Sequence, residues 1–139
     1  MKNFLIICAI AIGFMACEKE AGEGGTSVIE GSVYKIHTVL NDTTGEREDT
    51  LYYQLDPGVD VFIIYSNNEG DVYDDKFETD YNGKYRFEYL RKGDYTIYTY
   101  ADSIDASNVK YDYPVFKHIK INSNNSDNNV EDFVIEKNQ

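Results

Sequence analysis

The stretch 84–90 constrains the fold of this chain more than any other, because every second residue in it is aromatic and the residues between them are charged. The aromatic residues are Tyr85, Phe87 and Tyr89. Successive side chains of a strand point to opposite faces, so this alternation predicts a half-buried strand with all three rings in a core. Asn82 and Gly83 precede it directly and predict a hairpin with a type I′ turn.

The rest of the mature chain shows the same kind of pattern, with short β-rich runs separated by turn residues. No window of about 12 residues shows convincing helical periodicity. Both faces of the run 59–65 are apolar, which indicates a central strand. A loop is predicted at 102–114. These runs predict an all-β domain, a sandwich of about seven or eight strands.

The N-terminus has the pattern of a secretory signal peptide: Lys2 is followed by an apolar run that stops before Glu18. The run is shorter than the roughly 20 residues that a membrane-spanning helix needs. Its end, Gly13-Phe14-Met15-Ala16-Cys17, resembles the bacterial lipobox. That resemblance implies cleavage before Cys17 and a diacylglycerol on its thiol, usually with a third acyl chain on its amine. Two or more chains anchor a protein stably in a membrane.

Cysteine usage agrees with this interpretation. The chain has two cysteines, and Cys8 leaves with the signal peptide, so Cys17 has no disulfide partner in the mature chain. The alternative is an ordinary signal peptide that leaves Cys17 as a free thiol. Glu18 follows the cysteine where the best-known sorting rule of lipoproteins has a retention aspartate, which implies the outer membrane, on either face.

Three segments are therefore expected. Residues 1–16 form the lipoprotein signal peptide. Residues 17–26 form a flexible tether, because the stretch 21–26 is small and polar. Residues 27–139 form the β-sandwich domain.

A second motif covers the middle of the chain. Thr79-Asp80-Tyr81-Asn82-Gly83-Lys84-Tyr85-Arg86-Phe87, followed by Leu90-Arg91-Lys92-Gly93-Asp94-Tyr95, resembles the carboxypeptidase regulatory-like domains of the transthyretin-like, or prealbumin-like, superfamily. The resemblance spans roughly residues 28–101. It implies an antiparallel Greek-key β-sandwich of the transthyretin-like type. Such domains carry no catalytic residues of their own and usually serve as structural or binding modules.

Composition and charge exclude several classes of function. A formal net charge of −12 repels nucleic acid and anionic head groups, so no nucleic-acid partner is expected. His37 and His118 are the only histidines and have no metal-binding spacing. The acidic stretches 71–75 and 102–112 could bind Ca²⁺ through oxygen, but neither has EF-hand spacing. We expect no metal, no cofactor and no catalytic residue.

The chain has 13 tyrosines and no tryptophan. Tyr98 and Tyr100 alternate with Tyr95 and Ile97, so they are expected on the outer face of their sheet, where they could form a binding surface for a sugar. The alternative is that they form cross-strand pairs or belong to the core.

Three functions remain open at this point. The first is a non-enzymatic, lipid-anchored module of the cell envelope that binds a protein or a glycan and contacts the membrane through Cys17. The second is a structural accessory subunit of an outer-membrane or adhesive assembly, with an edge strand paired to another chain. The third is a small envelope hydrolase, since paired carboxylates are not excluded by composition.

Overall fold

The structure is a computed structural model and describes residues 20–40, 43–44, 47–104, 107 and 109–136. Those residues contain strands and no helix, which confirms the all-β prediction. Nine strands lie within them: β1 (Glu23–Leu40), β2 (Arg47–Leu55), β3 (Asp60–Ile64), β4 (Asp75–Glu78), β5 (Lys84–Leu90), β6 (Gly93–Ile104), β7 (Lys110–Ile121), β8 (Asp127–Asn129) and β9 (Phe133–Glu136).

The strands form two sheets. In the first, β1 pairs with β2 and β5 antiparallel and with β8 and β9 parallel. In the second, β4, β3, β6 and β7 are neighbours in that order and all antiparallel. Two mostly antiparallel sheets agree with the predicted sandwich, whereas the parallel pairing of β8 and β9 departs from the expected antiparallel pattern. The Greek-key and transthyretin-like assignments stay predictions.

The core is built from the inward-facing residues of both sheets. Its largest fully buried side chains are Tyr85, Tyr95 and Phe133, surrounded by aliphatic residues from β1, β3, β6, β7 and β9. Burial of this apolar surface is the main term that favours folding. Tyr85 and Phe87 are 1% and 4% exposed, so their predicted burial is confirmed.

The domain begins earlier than the sequence predicted. Strand β1 starts at Glu23, and Ala21 packs against the core, so the second half of the expected tether 17–26 belongs to the folded unit. A Cβ on Gly25 would overlap the backbone carbonyl of Leu90. The small residues of this segment therefore serve close packing and not flexibility.

The predicted loop at 102–114 is largely a continuation of a hairpin. Strands β6 and β7 stay paired out to Ile104 and Lys110, with Asp102 opposite Asp112. The polar composition that predicted a loop reflects exposure of this hairpin and not an interruption of its backbone pairing.

The turn between β4 and β5 differs in type from the prediction. The amide of Gly83 donates to the carbonyl of Asp80 (2.8 Å), which makes Tyr81 and Asn82 the central residues. Gly83 has a φ of 66°, and Asn82 has no positive φ, so the type I′ assignment is wrong. The turn is instead a longer loop that ends in a left-handed glycine. The Asp80 side chain supports it by accepting from the amides of Asn82 (2.8 Å) and Lys84 (3.0 Å).

Tyr89 breaks the alternation of β5. Its φ is 59° and its side chain is 69% exposed, while the next residue, Leu90, is 1% exposed. The register between β1 and β5 shifts at this point, where both Glu23 and Ser27 lie opposite Leu90. The predicted burial of Tyr89 is therefore wrong, because one left-handed residue moves the inward position from Tyr89 to Leu90.

This irregularity predicts different effects on the free energy of unfolding for substitutions at two positions that are only two residues apart. Phe87→Ala should lower the free energy of unfolding by about 3–5 kcal/mol, because it leaves a cavity in the core. Tyr89→Gly should leave it unchanged or raise it by up to about 1 kcal/mol, because glycine adopts the left-handed conformation at little cost. Urea unfolding followed by circular dichroism measures both. A large loss from Tyr89→Gly would contradict the bulge.

Candidate functional site

The outer face of the second sheet carries a group of aromatic rings. Phe62 of β3 lies opposite Tyr98 of β6, and Tyr98 lies opposite Phe116 of β7, so the three form one row across the sheet. The neighbours Val61 and Ile97 are buried in the core, which places the row on the opposite face. We call the set Phe62, Tyr73, Tyr98, Tyr100 and Phe116 the outer aromatic surface.

The rings of this surface contact one another closely. Phe62 stacks on Tyr98 with ring centroids 4.9 Å apart and planes 16° from parallel. Tyr100 meets both of these rings edge-on, with centroids 5.8 Å from each. Tyr73, from the loop between β3 and β4, packs on Phe62 at 4.9 Å, and Phe116 packs on Tyr98 at 5.2 Å. Such pairs hold the rings in fixed orientations.

The two predicted binding residues have different environments. Tyr100 is 39% exposed, as an outer-face residue that could touch a ligand should be. Tyr98 lies on the predicted outer face but is only 8% exposed, because neighbouring rings cover it. Burial, together with the nearby Tyr100, raises the pKa of the Tyr98 hydroxyl above its usual range. Tyr98 therefore lies beneath the other rings of the surface. Tyr73, which is 46% exposed, joins Tyr100 as an accessible ring.

A groove of about 520 Å³ runs beside the surface at the end where β3 begins. Its lining includes Phe62 and Tyr100 together with charged side chains, which are Lys35, Asp56, Asp60, Lys76 and Glu78. Lys76 and Asp60 form an ion pair (3.0 Å), and this contact raises the pKa of the Lys76 amine. The groove thus combines an aromatic wall with carboxylate acceptors and ammonium donors, which together could stack on and hydrogen-bond a polar organic ligand.

The acidic loop at 71–75 uses its carboxylates within the chain. Asp71 accepts from Ser66 Oγ (2.7 Å) and from Asn68 Nδ2 (2.6 Å). Asp74 Oδ2 accepts from the amide of Tyr65 (2.7 Å). Across the described residues no group of three or more His, Cys, Asp or Glu side chains could hold a metal ion. These carboxylates stabilise the loop that carries Tyr73.

The remaining candidate residues are not brought to this groove. His118 lies with Nδ1 3.0 Å from Thr96 Oγ1 and Nε2 3.0 Å from Glu69, about half exposed. The side chain of His37 and the whole of Cys17 lie outside the described residues. Within that described part, no helix is long and apolar enough to cross a membrane.

Sequence reasoning missed three members of the outer aromatic surface: Phe62, Tyr73 and Phe116. The alternation of β3 does place Phe62 on the outer face. The order and register of the strands, which bring it beside Tyr98, cannot be read from a single sequence. Tyr73 comes from a loop, where no periodicity applies.

No family model and no curated protein matches this chain. Among solved structures it is similar to a protein from Pseudomonas aeruginosa described as a proposed carbohydrate-binding protein. The two sequences are 14% identical, and the match covers 84% of this chain and 92% of the other with a TM-score of 0.48.

The burial difference between Tyr98 and Tyr100 is testable by mutation. Tyr98→Ala should lower the free energy of unfolding by about 2 kcal/mol or more, because it removes the ring on which three others pack. Tyr100→Ala should change it by less than about 1 kcal/mol. Tyr98→Phe keeps the ring and serves as the control, with a stability close to that of the parent protein. Equal losses of unfolding free energy in the two alanine variants would contradict the assignment of Tyr98 as the buried ring beneath the others.

Proposed function

We propose that this chain is a non-enzymatic, lipid-anchored β-sandwich module of the cell envelope that binds a glycan on the outer aromatic surface. The observation that supports glycan binding is the pair of half-exposed rings, Tyr73 and Tyr100, which belong to one aromatic cluster with the buried ring of Tyr98, beside a charged groove. Rings fixed in this way lose little conformational entropy when a ligand stacks on them.

The chemistry of the site suits a sugar. The C–H face of a pyranose can stack on the exposed ring of Tyr100. Its hydroxyl groups can donate to the carboxylates of Asp60 and Glu78, and can accept from the ammonium of Lys76. A chain with a net charge of −12 repels polyanions, so the ligand is a neutral or basic glycan.

The accessory-subunit alternative depends on a free strand edge. In the described part of the chain, β7 pairs with β6 along one side. Pro114 has no amide hydrogen to offer to a partner strand, and Lys117 and Lys120 place charge on the same strand. Proline and lysine on an edge strand oppose pairing with another chain. Pairing with another chain is therefore disfavoured at the β7 edge, and the outer aromatic surface is the feature for which we favour glycan binding.

The membrane anchor in this proposal is Cys17. Its support is the sequence Gly13-Phe14-Met15-Ala16-Cys17 after a short apolar run. Glu18 after the cysteine supports the outer membrane as the destination. The acyl chains would hold the domain at that membrane without a spanning helix.

Glycan binding is tested with the lipidated protein in detergent micelles. An array of neutral and basic glycans identifies a ligand, and titration calorimetry then compares variants. Tyr100→Ala and Tyr73→Ala should each weaken binding at least about tenfold, equivalent to about 1.4 kcal/mol. Tyr81→Ala, which removes an exposed tyrosine in the β4–β5 turn, is the matched control and should bind like the parent. Equal binding by all three variants would reject the surface, and hydrolysis of the bound glycan would favour the hydrolase alternative.

The anchor is tested separately by metabolic labelling with a clickable palmitate analogue. The parent protein should incorporate the label and fractionate with the outer membrane. Cys17→Ser should incorporate none, because only the thiol accepts the diacylglycerol. Equal label in both proteins would reject Cys17 as the lipidation site.

A further inference from the structure

The segment that follows Glu20 is fixed to one end of the sandwich. The amide of Gly22 donates to Tyr95 Oη (2.9 Å), and the amide of Arg91 donates to the carbonyl of Gly22 (2.9 Å). Arg91 Nη1 also donates to the carbonyl of Glu20 (3.4 Å). A Cβ on Gly93 would lie 2.6 Å from the Cβ of Ala21, so the two backbones touch.

The same end includes the loop between β7 and β8. Ser27 Oγ donates to the carbonyl of Ser123 (3.0 Å), and the amide of Asn125 donates to Thr26 Oγ1 (3.1 Å). We call Arg91, Lys92 and the loop 122–126 the attachment end. The charged groove lies toward the opposite end, because β6 runs from Gly93 at the attachment end through Tyr100.

Very little chain separates this end from the proposed anchor. Cys17 and Glu20 are three residues apart, which span at most about 11 Å when fully extended. A flexible tether of ten residues would let the domain tumble freely, whereas three residues cannot.

We infer that the attachment end lies against the lipid head groups of the leaflet that holds Cys17, with the strands of the sandwich directed away from the membrane. This inference rests on the proposed lipid anchor. The surface is less acidic than the rest of the chain: Arg91, Lys92 and Lys120 offset the carboxylates of Glu20 and Asp94 there, and the loop 122–126 contains only asparagine and serine. Basic and neutral polar residues meet a phosphate-rich surface favourably, whereas most of this acidic chain would be repelled.

The inference also positions the glycan surface. Tyr100 is seven residues beyond Gly93 along β6, or about 23 Å at the usual rise of a strand. The charged groove would then open sideways at about that height above the head groups. A ligand would reach it without contacting the bilayer.

The test uses fluorophores on single introduced cysteines in the lipidated full-length protein, reconstituted into phosphatidylethanolamine vesicles that contain a lipid with a spin-labelled head group. The lipidated Cys17 offers no free thiol, so each introduced cysteine is the unique labelling site. Asn124→Cys reports on the attachment end, and Tyr81→Cys is the matched control in the β4–β5 turn at the opposite end; both residues are exposed. Quenching at position 124 should be at least about threefold stronger than at position 81.

A second variant carries 20 glycine and serine residues inserted after Lys19. Such a linker has an average span of about 25 Å and should reduce quenching at position 124 to the level at position 81. Vesicle flotation is measured alongside. A protein that floats but shows equal quenching at both positions, or quenching unchanged by the linker, would overturn the orientation and leave the anchor intact. A protein that does not float with the vesicles would overturn the anchor and this inference with it.

Discussion

Strand β1 is the element on which the rest of the structure depends. It is 18 residues long, and its first half pairs with β5 and β8 while its second half pairs with β2 and β9. All other strands of the first sheet are thus held by hydrogen bonds to β1. The same strand begins only three residues after Glu20. The chain therefore enters the domain directly as the strand to which the rest of the first sheet is paired. The strand pairings that hold β1 in place therefore also hold the end of the sandwich at which the N-terminal segment enters.

Backbone contacts at glycine positions explain how that entry is possible. Gly25 lies against the backbone of Leu90, and Gly93 lies against Ala21, at distances that no side chain would fit. A sequence rich in glycine looks like a linker when it is judged by composition, because flexible linkers and close backbone approaches both select glycine. Only the partner segment distinguishes the two cases. The buried hydroxyl of Tyr95, hydrogen-bonded to Gly22, is the partner that the sequence could not show.

Much of the fold could be predicted from the sequence, and the failures have local causes. Alternation correctly placed Tyr85 and Phe87 in the core, because a regular strand has a period of two. It failed at Tyr89, where a single positive φ shifted the period. At the candidate site, alternation gave the correct face for Tyr98 but not its burial, which comes from Phe62 and Phe116 on neighbouring strands. The face on which a side chain lies can be predicted from its own strand. Its neighbours on adjacent strands can be predicted only when the strand order is known.

The outer aromatic surface lies on the second sheet, whose outer face differs in composition from that of the first. The first sheet receives the N-terminal segment and the last two strands, and its outer face at β5 carries the charged pairs of Arg86 with Glu30 and Glu88. The second sheet is fully antiparallel and has an outer face on which an aromatic row crosses three strands. Ring stacking there adds cross-strand stabilisation that does not depend on the core. Tyr73 and Tyr100 can therefore be exposed to solvent without loosening the sheet, because backbone pairing and the rings beneath them already hold its strands together.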